Sequence, residues 1–470
     1  MSTEPLTRRA SARSRRGRAF VVSFAIVTAV LAVVGFGAAA ASVAQGPRVT
    51  NVSVDPAASV AASGSRVIFT TSQSLAEVDD AQVTVEPAVP FAVDTSGRSV
   101  GVRFGMPLRD DTSYTVTITG LTGVGGGPES TVTETFATPT LEVNLAQRRE
   151  GEDDIIYRTD LTGEAATVIF SHPRIEDFRA TGSHLVISVR DEDDRSSLIV
   201  TDLDGENARE LPLPGDGSIR GLQAADRGET IGYTFSDADL SEDGGLESVL
   251  FTASLSESAA DVAPTQVTIA GADPRVADWR FVPDTDSILV LGFDATLLLA
   301  GSDGSGAISL GSALAIQGIA GTDAIVDRME NTVVIDLTDG SESPLVDADT
   351  DLGLLGSVLP VPGGGTLRTY ATLDDAGSIG ATQLAFVDAD GAARAIGEVP
   401  VSDAYLQTCV SPSGRYAALL VAPDAVSNPY DLSPLPLPAN LETQVVEIDD
   451  GTPVVSLNGF DISWCRVPPE

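Results

Sequence analysis

The sequence predicts an all-β protein: an N-terminal transmembrane helix, then an Ig-like β-sandwich, then a β-propeller of about seven blades. Three observations predict it. Short runs of Val, Ile, Thr and Leu alternate with Gly, Asp and Pro through most of the chain. One uncharged apolar stretch, Ala19 to Ala44, follows a cluster of arginines. A β-run closing on an acidic, usually Gly-bearing turn returns seven times, at a spacing of about 48 residues. With 43% hydrophobic and 20% charged residues, 45 Gly and 27 Pro among 470 residues, the composition is that of a folded, turn-rich chain.

The first element is the arginine cluster. Arg8, Arg9, Arg13, Arg15, Arg16 and Arg18 crowd residues 1–18, and the apolar stretch 19–44 follows at once. About 20 apolar residues cross a bilayer as a helix, so 19–44 reads as a signal anchor. Basic residues before the span put the N-terminus in the cytoplasm and the bulk outside, as a single-pass protein of the cell membrane. The alternative is a cleaved signal peptide, because Ser42-Val43-Ala44 has the small residues of a cleavage site; the protein would then be secreted after cleavage near Ala44. Both readings place the folded part in an oxidising compartment.

Charge narrows the partners. Asp and Glu total 67 against 28 basic residues, every one of them arginine, for a net charge of -39. Nucleic acid is excluded as a partner, because a phosphate backbone needs a basic stripe. Docking onto anionic lipid is disfavoured for the same reason.

Residues 47–139 form the next unit. "RVTNVSVDP", "SRVIFTTSQSL", "AQVTVEP", "FAVDTSGRSVGVRF", "TSYTVTITGL" and "TVTETFATP" supply about seven short strands, the size and rhythm of an Ig-like sandwich. The run from Gly97 to Pro139 resembles the bacterial Ig-like domains of surface-layer and other cell-surface proteins. Leu108, Thr112 and Tyr114 match that family's Leu, Thr and Tyr run, and Phe136 with Thr138-Pro139 matches its close. The resemblance implies a spacer with no catalytic residues, and gives Tyr114 the tyrosine-corner role.

Residues 141–470 carry the repeats. The β-run appears as "IIYRTDLTGE", "LIVTDLDGE", "LFTASLSES", "LLLAGSDGSG", "VVIDLTDGS", "LAFVDADGAA" and "VVEIDDGTP". Four strands per 40 to 50 residues is the signature of a propeller blade. "SPSGRYAALLV" and "DLDGENARELPL" resemble the corresponding runs of TolB-like and WD-repeat-like propellers, which implies action through protein partners. Cys409 and Cys465, the only cysteines, each stand three residues before a proline in consecutive repeats. Equivalent strands of neighbouring blades lie side by side, so a disulfide would tie the last blade to the first. "FDISWC" would join the first blade, which begins near "LEVNLAQRR" without an inner strand. The alternative is two buried thiols.

Chemistry is sparse. Only His172 and His184 are histidines, both placed in structural positions. No G-x-S-x-G, Walker A or H-E-x-x-H pattern occurs. "DADTDLG" at 347 starts like a calcium loop, but Leu352 takes the Gly position and no Glu closes it. The expectation is therefore no catalytic residue, no metal and no cofactor. One stretch is unusual: "NPYDLSPLPLPAN", with Pro429, Tyr430, Leu432, Pro434, Leu435, Pro436, Leu437 and Pro438. Its prolines favour a polyproline II excursion with exposed leucines unless they pack, either a rigid strap or a partner-docking loop. The function expected is a membrane-anchored extracytoplasmic binding or scaffold protein, whose propeller recognises a protein or cell-envelope ligand. The alternative is a propeller-type hydrolase or lyase acting on surface polysaccharide, with paired carboxylates and Arg or Tyr at the channel mouth.

Overall fold

The computed structural model describes residues 20–35, 46–226, 229–240, 244–373, 377, 379–431 and 433–469. Of the span expected over 19–44, residues 20–35 form a helix, about 24 Å long at 1.5 Å per residue. No helix among the described residues is long and apolar enough to cross a membrane. The remainder of the expected span lies outside the described residues. The chain divides into two compact units. One comprises Met1–Ser59, Ser63–Gly105 and Thr112–Thr138; the other comprises Val60–Ala62, Met106–Asp111 and Pro139–Glu470.

The first unit holds seven strands: β1 (Val49–Ser53), β2 (Arg66–Thr71), β3 (Val83–Glu86), β4 (Phe91–Ser96), β5 (Ser99–Phe104), β6 (Ser113–Leu121) and β7 (Ser130–Ala137). They pair in two antiparallel sheets, ordered β1-β2-β5-β4 and β3-β6-β7. Every second residue of β2 and of the first part of β6 is buried, the alternation that gives a sheet one wet and one dry face. The dry faces meet at Phe104 of β5 and Phe136 of β7, whose ring centres are 6.4 Å apart. Tyr114, buried at the start of β6, stacks on Phe136 at 6.0 Å.

The second unit is a succession of seven antiparallel sheets, here blades 1 to 7. Blade 1 has β8 (Glu142–Gln147), β9 (Asp154–Asp160) and β10 (Thr167–His172). Blade 2 has β11 (Ile175–Ala180), β12 (His184–Arg190), β13 (Ser196–Asp202) and β14 (Arg209–Leu211). Blade 3 has β15 (Gly217–Ala224), β16 (Thr230–Asp237), β17 (Val249–Ser254) and β18 (Thr265–Gln266). Blade 4 has β19 (Val276–Phe281), β20 (Ser287–Gly292), β21 (Thr296–Gly301) and β22 (Ile308–Ser312). Blade 5 has β23 (Ala315–Ala320), β24 (Asp323–Asp327), β25 (Thr332–Asp336) and β26 (Glu342–Pro344). Blade 6 has β27 (Leu354–Pro360), β28 (Thr366–Leu373), β29 (Ile379–Val387) and β30 (Ala393–Val399). Blade 7 has β31 (Ala404–Val410), β32 (Tyr416–Ala422), β33 (Glu442–Glu447) and β34 (Pro453–Asn458).

Each sheet is an up-and-down meander in strand order, and the first strands of successive blades lie against one another. That is a β-propeller, with first strands innermost. Six copies of the repeated β-run fall on the third strand of a blade and the turn after it, and the first falls on β9, the middle strand of the three-stranded blade 1.

The turn explains why the repeat wants glycine. Gly205 has φ +80°, and a Cβ there would stand 1.8 Å from the Ile169 carbonyl oxygen in the outer strand of blade 1. The same turn glycine presses on the preceding blade's outer segment elsewhere: Gly304 on Thr268, Gly391 on Asp347 and Gly451 on Ile396. Gly163 of blade 1 meets Val455 and Leu457 of blade 7, across the junction between the chain's two ends. Arginines reinforce these seams. Arg158 donates to Leu203 O, Arg209 to Leu255 O, and Arg394 to Ile448 O, each in the turn of the next blade.

Blade 1 lacks an inner strand, and the segment after β34 supplies its substitute. Ala146 and Phe460 exchange two N–H to carbonyl bonds of 2.9 Å, and Ser463 N donates to Asn144 O at 2.9 Å. The expected strand "FDISWC" is thus a single bridge with a following turn. Asp461, at φ +57°, takes the chain out of extended conformation immediately after Phe460. Cys465 is joined to Cys409 on β31 by a disulfide, with Cα atoms 5.2 Å apart. Trp464 stacks on Tyr416 at 6.4 Å beside the bridge, over a core that includes Val143, Leu145 and Ile462.

Candidate functional site: the channel mouth

The meander puts two kinds of loop on one face of the propeller: those joining second to third strands, and those joining one blade to the next. This is called the upper face below. Inner strands begin here, and each of the six complete ones carries a β-bulge, near the start in five and past the middle in β15. The register shifts at Ile175/Asp177, Arg220/Gln223, Val276/Asp278, Ile316/Gly318, Leu355/Val358 and Tyr405/Gln407. Bulges re-aim side chains and favour rims and binding sites. Here they ring the mouth of the central channel.

A cavity of about 60 Å³ opens at the bulges of blades 2 and 3. Its polar walls are Arg148, Glu176, Asp177, Ser188 and Arg220; its apolar walls include Leu222, Leu435, Leu437 and Pro468. Pro468 belongs to a tail held along the channel, where Gln407 Nε2 donates to Val467 O at 2.9 Å and to Pro468 O at 3.1 Å.

Under the cavity lies a buried ion cluster. Arg179 Nη1 stands 2.9 Å from Asp177 Oδ1 and 2.7 Å from both carboxylate oxygens of Asp461. Arg179 Nε donates to Leu222 O at 2.8 Å. Glu176 takes Arg190 Nη2 at 2.5 Å. Burial pushes the Asp177 carboxyl well above the usual carboxylate range; the charges of Asp461 and Glu176 push the same way, against Arg179. Burial works to lower the Arg179 guanidinium, but Asp177 and Asp461 outweigh it and raise it. Two carboxyl groups facing one guanidinium in a dry site cannot both ionise cheaply, which is the cause of the rise at Asp177.

The proline-rich loop roofs this cavity, and its structure corrects the polyproline II expectation. It is a small hairpin. Tyr430 bridges Pro438, Asp431 N donates to Leu437 O, and Ala439 N donates to Pro429 O, both at 2.8 Å. Prolines remove donors at four positions, but those that remain pair across the loop. Asn428 clasps the base, donating to Asn440 O at 2.8 Å and accepting from Asn440 N at 3.0 Å. Asp431 fixes the tip to blade 1 through Arg148, at 2.8 Å. Leu437 and Pro438 are buried and Leu435 half-buried. Pro429, Tyr430, Pro434 and Pro436 are exposed, while Leu432 lies outside the described residues.

Other singled-out residues do not converge on the mouth. His172 Nδ1 accepts from Arg174 N at 3.2 Å, and His184 contacts Ser183 and Glu229. In "DADTDLG", Asp349 and Asp351 each accept a backbone N–H, from Ala393 and Gly353. Among the described residues no three His, Cys, Asp or Glu side chains are grouped to hold a metal. Sequence reasoning missed the ion cluster. Its signal was present in "IEDFRA", where three charges interrupt a strand instead of occupying a turn.

No family model and no curated protein matches this chain. Among solved structures it is similar to the β-propeller domain of the trilobed protease from Pyrococcus furiosus, at 11% identity and a TM-score of 0.43, covering 77% of this chain and 98% of that one. It is also similar to a putative TolB from Agrobacterium tumefaciens, at 14% identity and a TM-score of 0.34, covering 68% and 90%. An acylaminoacyl peptidase aligns at 12% identity and a TM-score of 0.43, over 75% of this chain and 51% of that one.

Proposed function

We propose that this protein is an extracytoplasmic binding module, held at the membrane by the segment 19–44, with an Ig-like spacer before a propeller that docks a protein partner. The spacer reading is supported by the sheet orders β1-β2-β5-β4 and β3-β6-β7, which follow the same sequence order as the A-B-E-D and C-F-G sheets of constant-type immunoglobulin domains. The observation that carries the docking reading is an apolar upper face. Phe293, Met329, Ile379, Val401, Val426 and Tyr430 are all exposed in its loops. Val401 and Val426 sit on loops tied together by the Ala425 N to Ser402 O bond, 2.9 Å. Exposed apolar groups gathered on one face are candidates for an interaction surface.

A second reading has one observation in its favour. Glu176 and Asp177 converge with Arg148 and Arg220 at the mouth, as a polysaccharide hydrolase or lyase would require. The cavity opposes it: about 60 Å³ holds a few waters, far below a sugar subsite.

The test compares the full chain with a Val426→Asp/Tyr430→Ala variant as bait in detergent-solubilised envelope fractions. Partners captured by the parent and depleted at least tenfold by the variant support docking. Identical capture by both, or turnover of an envelope polysaccharide that a Glu176→Gln change abolishes, replaces it with the enzymatic reading.

A further inference from the structure

Arginine is scarce in this chain, 28 basic residues against 67 acidic ones, and the propeller commits nearly all of it. Every other described arginine of residues 139–470 gives its guanidinium to a carboxylate or a carbonyl. Arg220 of β15 is the exception. It is exposed in the wall of the mouth cavity, and its guanidinium has no hydrogen bond or ion pair among the described residues. The acids nearby are engaged elsewhere: Asp431 with Arg148, Glu176 with Arg190, Asp177 and Asp461 with Arg179. Gly221 follows at the bulge with φ +60°, and a Cβ there would stand 3.7 Å from Trp279 Nε1. That indole N–H is buried and has no acceptor among the described residues. Both groups left without partners at the β15 bulge are therefore donors.

We propose that the channel mouth is a receptor for a carboxylate on a short aliphatic stem, taken by the Arg220 guanidinium at the β15 bulge. The proposal does not rest on the docking reading above. A guanidinium fork matches the two oxygens of a carboxylate, and such charge-assisted pairs are the strong ones. Leu222, Leu435, Leu437 and Pro468 give the same cavity an apolar wall on which a stem packs. Its volume of about 60 Å³, the room of a few waters, suits a carboxylate with a few methylenes. The net charge of -39 opposes an anion at long range. At physiological salt that field is screened beyond about 8 Å, so the unanswered cation at the mouth decides. A small free carboxylate and an acidic side chain of a docked protein share this chemistry.

The full chain, isotope-labelled at arginine and tryptophan, is titrated with butyrate, N-acetyl-glutamate methylamide and butyramide at constant ionic strength and followed by NMR. The chain has two tryptophans, so the Trp279 indole signal reports the bulge and that of Trp464, beside the disulfide, is the control. Expected is a saturable shift of the Arg220 Nε and Trp279 signals with butyrate, with a Kd on the order of 1 mM, an unmoved Trp464, and no response to butyramide, which carries no charge. Arg220→Gln should weaken binding at least tenfold, and Arg220→Lys, which keeps the charge without the fork, should fall between. Leu435→Trp, which fills the cavity without touching Arg220, should abolish binding, with thermal melts confirming that the variants fold. Tighter binding of the glutamate derivative than of butyrate supports the receptor with a docked protein as source; the reverse supports it with a small free carboxylate. No saturable shift, equal response to butyrate and butyramide, or an unchanged Arg220→Gln overturns the proposal, and each leaves the capture test of docking untouched.

Discussion

Asp461 sits where three constraints meet. Its backbone turns the chain with φ +57° directly after the strand bridge at Phe460. Its carboxylate takes Arg179 through both oxygens and also accepts from Phe178 N at 3.3 Å. Replacing it with alanine leaves Arg179 short of a partner inside the propeller, and breaking a buried pair costs about 3–5 kcal/mol. Urea unfolding of Asp461→Ala should show that loss. Asp177 acts in the opposite sense. Its folded-state pKa lies above the unfolded value of 3.8. The fold therefore binds this proton more tightly than the unfolded chain does. Its contribution to stability is present in full below 3.8 and is lost as pH rises through the folded value. Asp177→Asn should be more stable than the parent at pH 7–8, with the difference closing toward pH 4. A pH series of thermal melts measures this directly.

At the scale of the element, the recurring unit is the turn between third and fourth strands. In blades 2, 4, 6 and 7 its glycine is present because the backbone of the preceding blade occupies the place of a side chain. Gly205→Ala should cost about 1 kcal/mol for the left-handed conformation and a further 1–3 kcal/mol for the collision with Ile169 O. Gly321→Ala is the control, since Gly321 has φ +57° with nothing within 4 Å; only the first cost should appear in its unfolding midpoint. These turns are also what made the blades legible. Each is local, lies at fixed spacing and must satisfy the same neighbour, so the pattern survives in sequence. The proline-rich loop was misread because its conformation depends on the distant pairing of Arg148 with Asp431, which no local preference encodes. The ion cluster stayed hidden for the same reason: Asp177 and Asp461 are far apart in sequence and meet only when the ring is complete.

For the whole molecule, closure decides stability. Between blades 7 and 1 stand the strand bridge and the Cys409–Cys465 disulfide, while the Arg179–Asp461 pair ties the closing segment to blade 2. The bond closes a loop with a sequence separation of 56. Chain entropy assigns such a loop about 4 kcal/mol. A Cys409→Ser/Cys465→Ser variant should lose that amount in guanidinium unfolding, and the parent should match it when fully reduced. The pairing was readable because both cysteines occupy the same phase of the repeat. The apolar upper face was not, because single exposed residues on separate loops carry no periodicity.

Closure also sets a clock. The inner edge of β8, with the Ala146 N–H and carbonyl, waits for Phe460. At roughly 5–20 residues per second, that edge stays uncovered on the order of tens of seconds while the rest of the chain is synthesised. An open edge is a template for aggregation. Until Phe460 arrives, that edge stays open to pairing with other strands. A chain cut after Asn458 keeps strands β8 to β34 and cannot shut the ring.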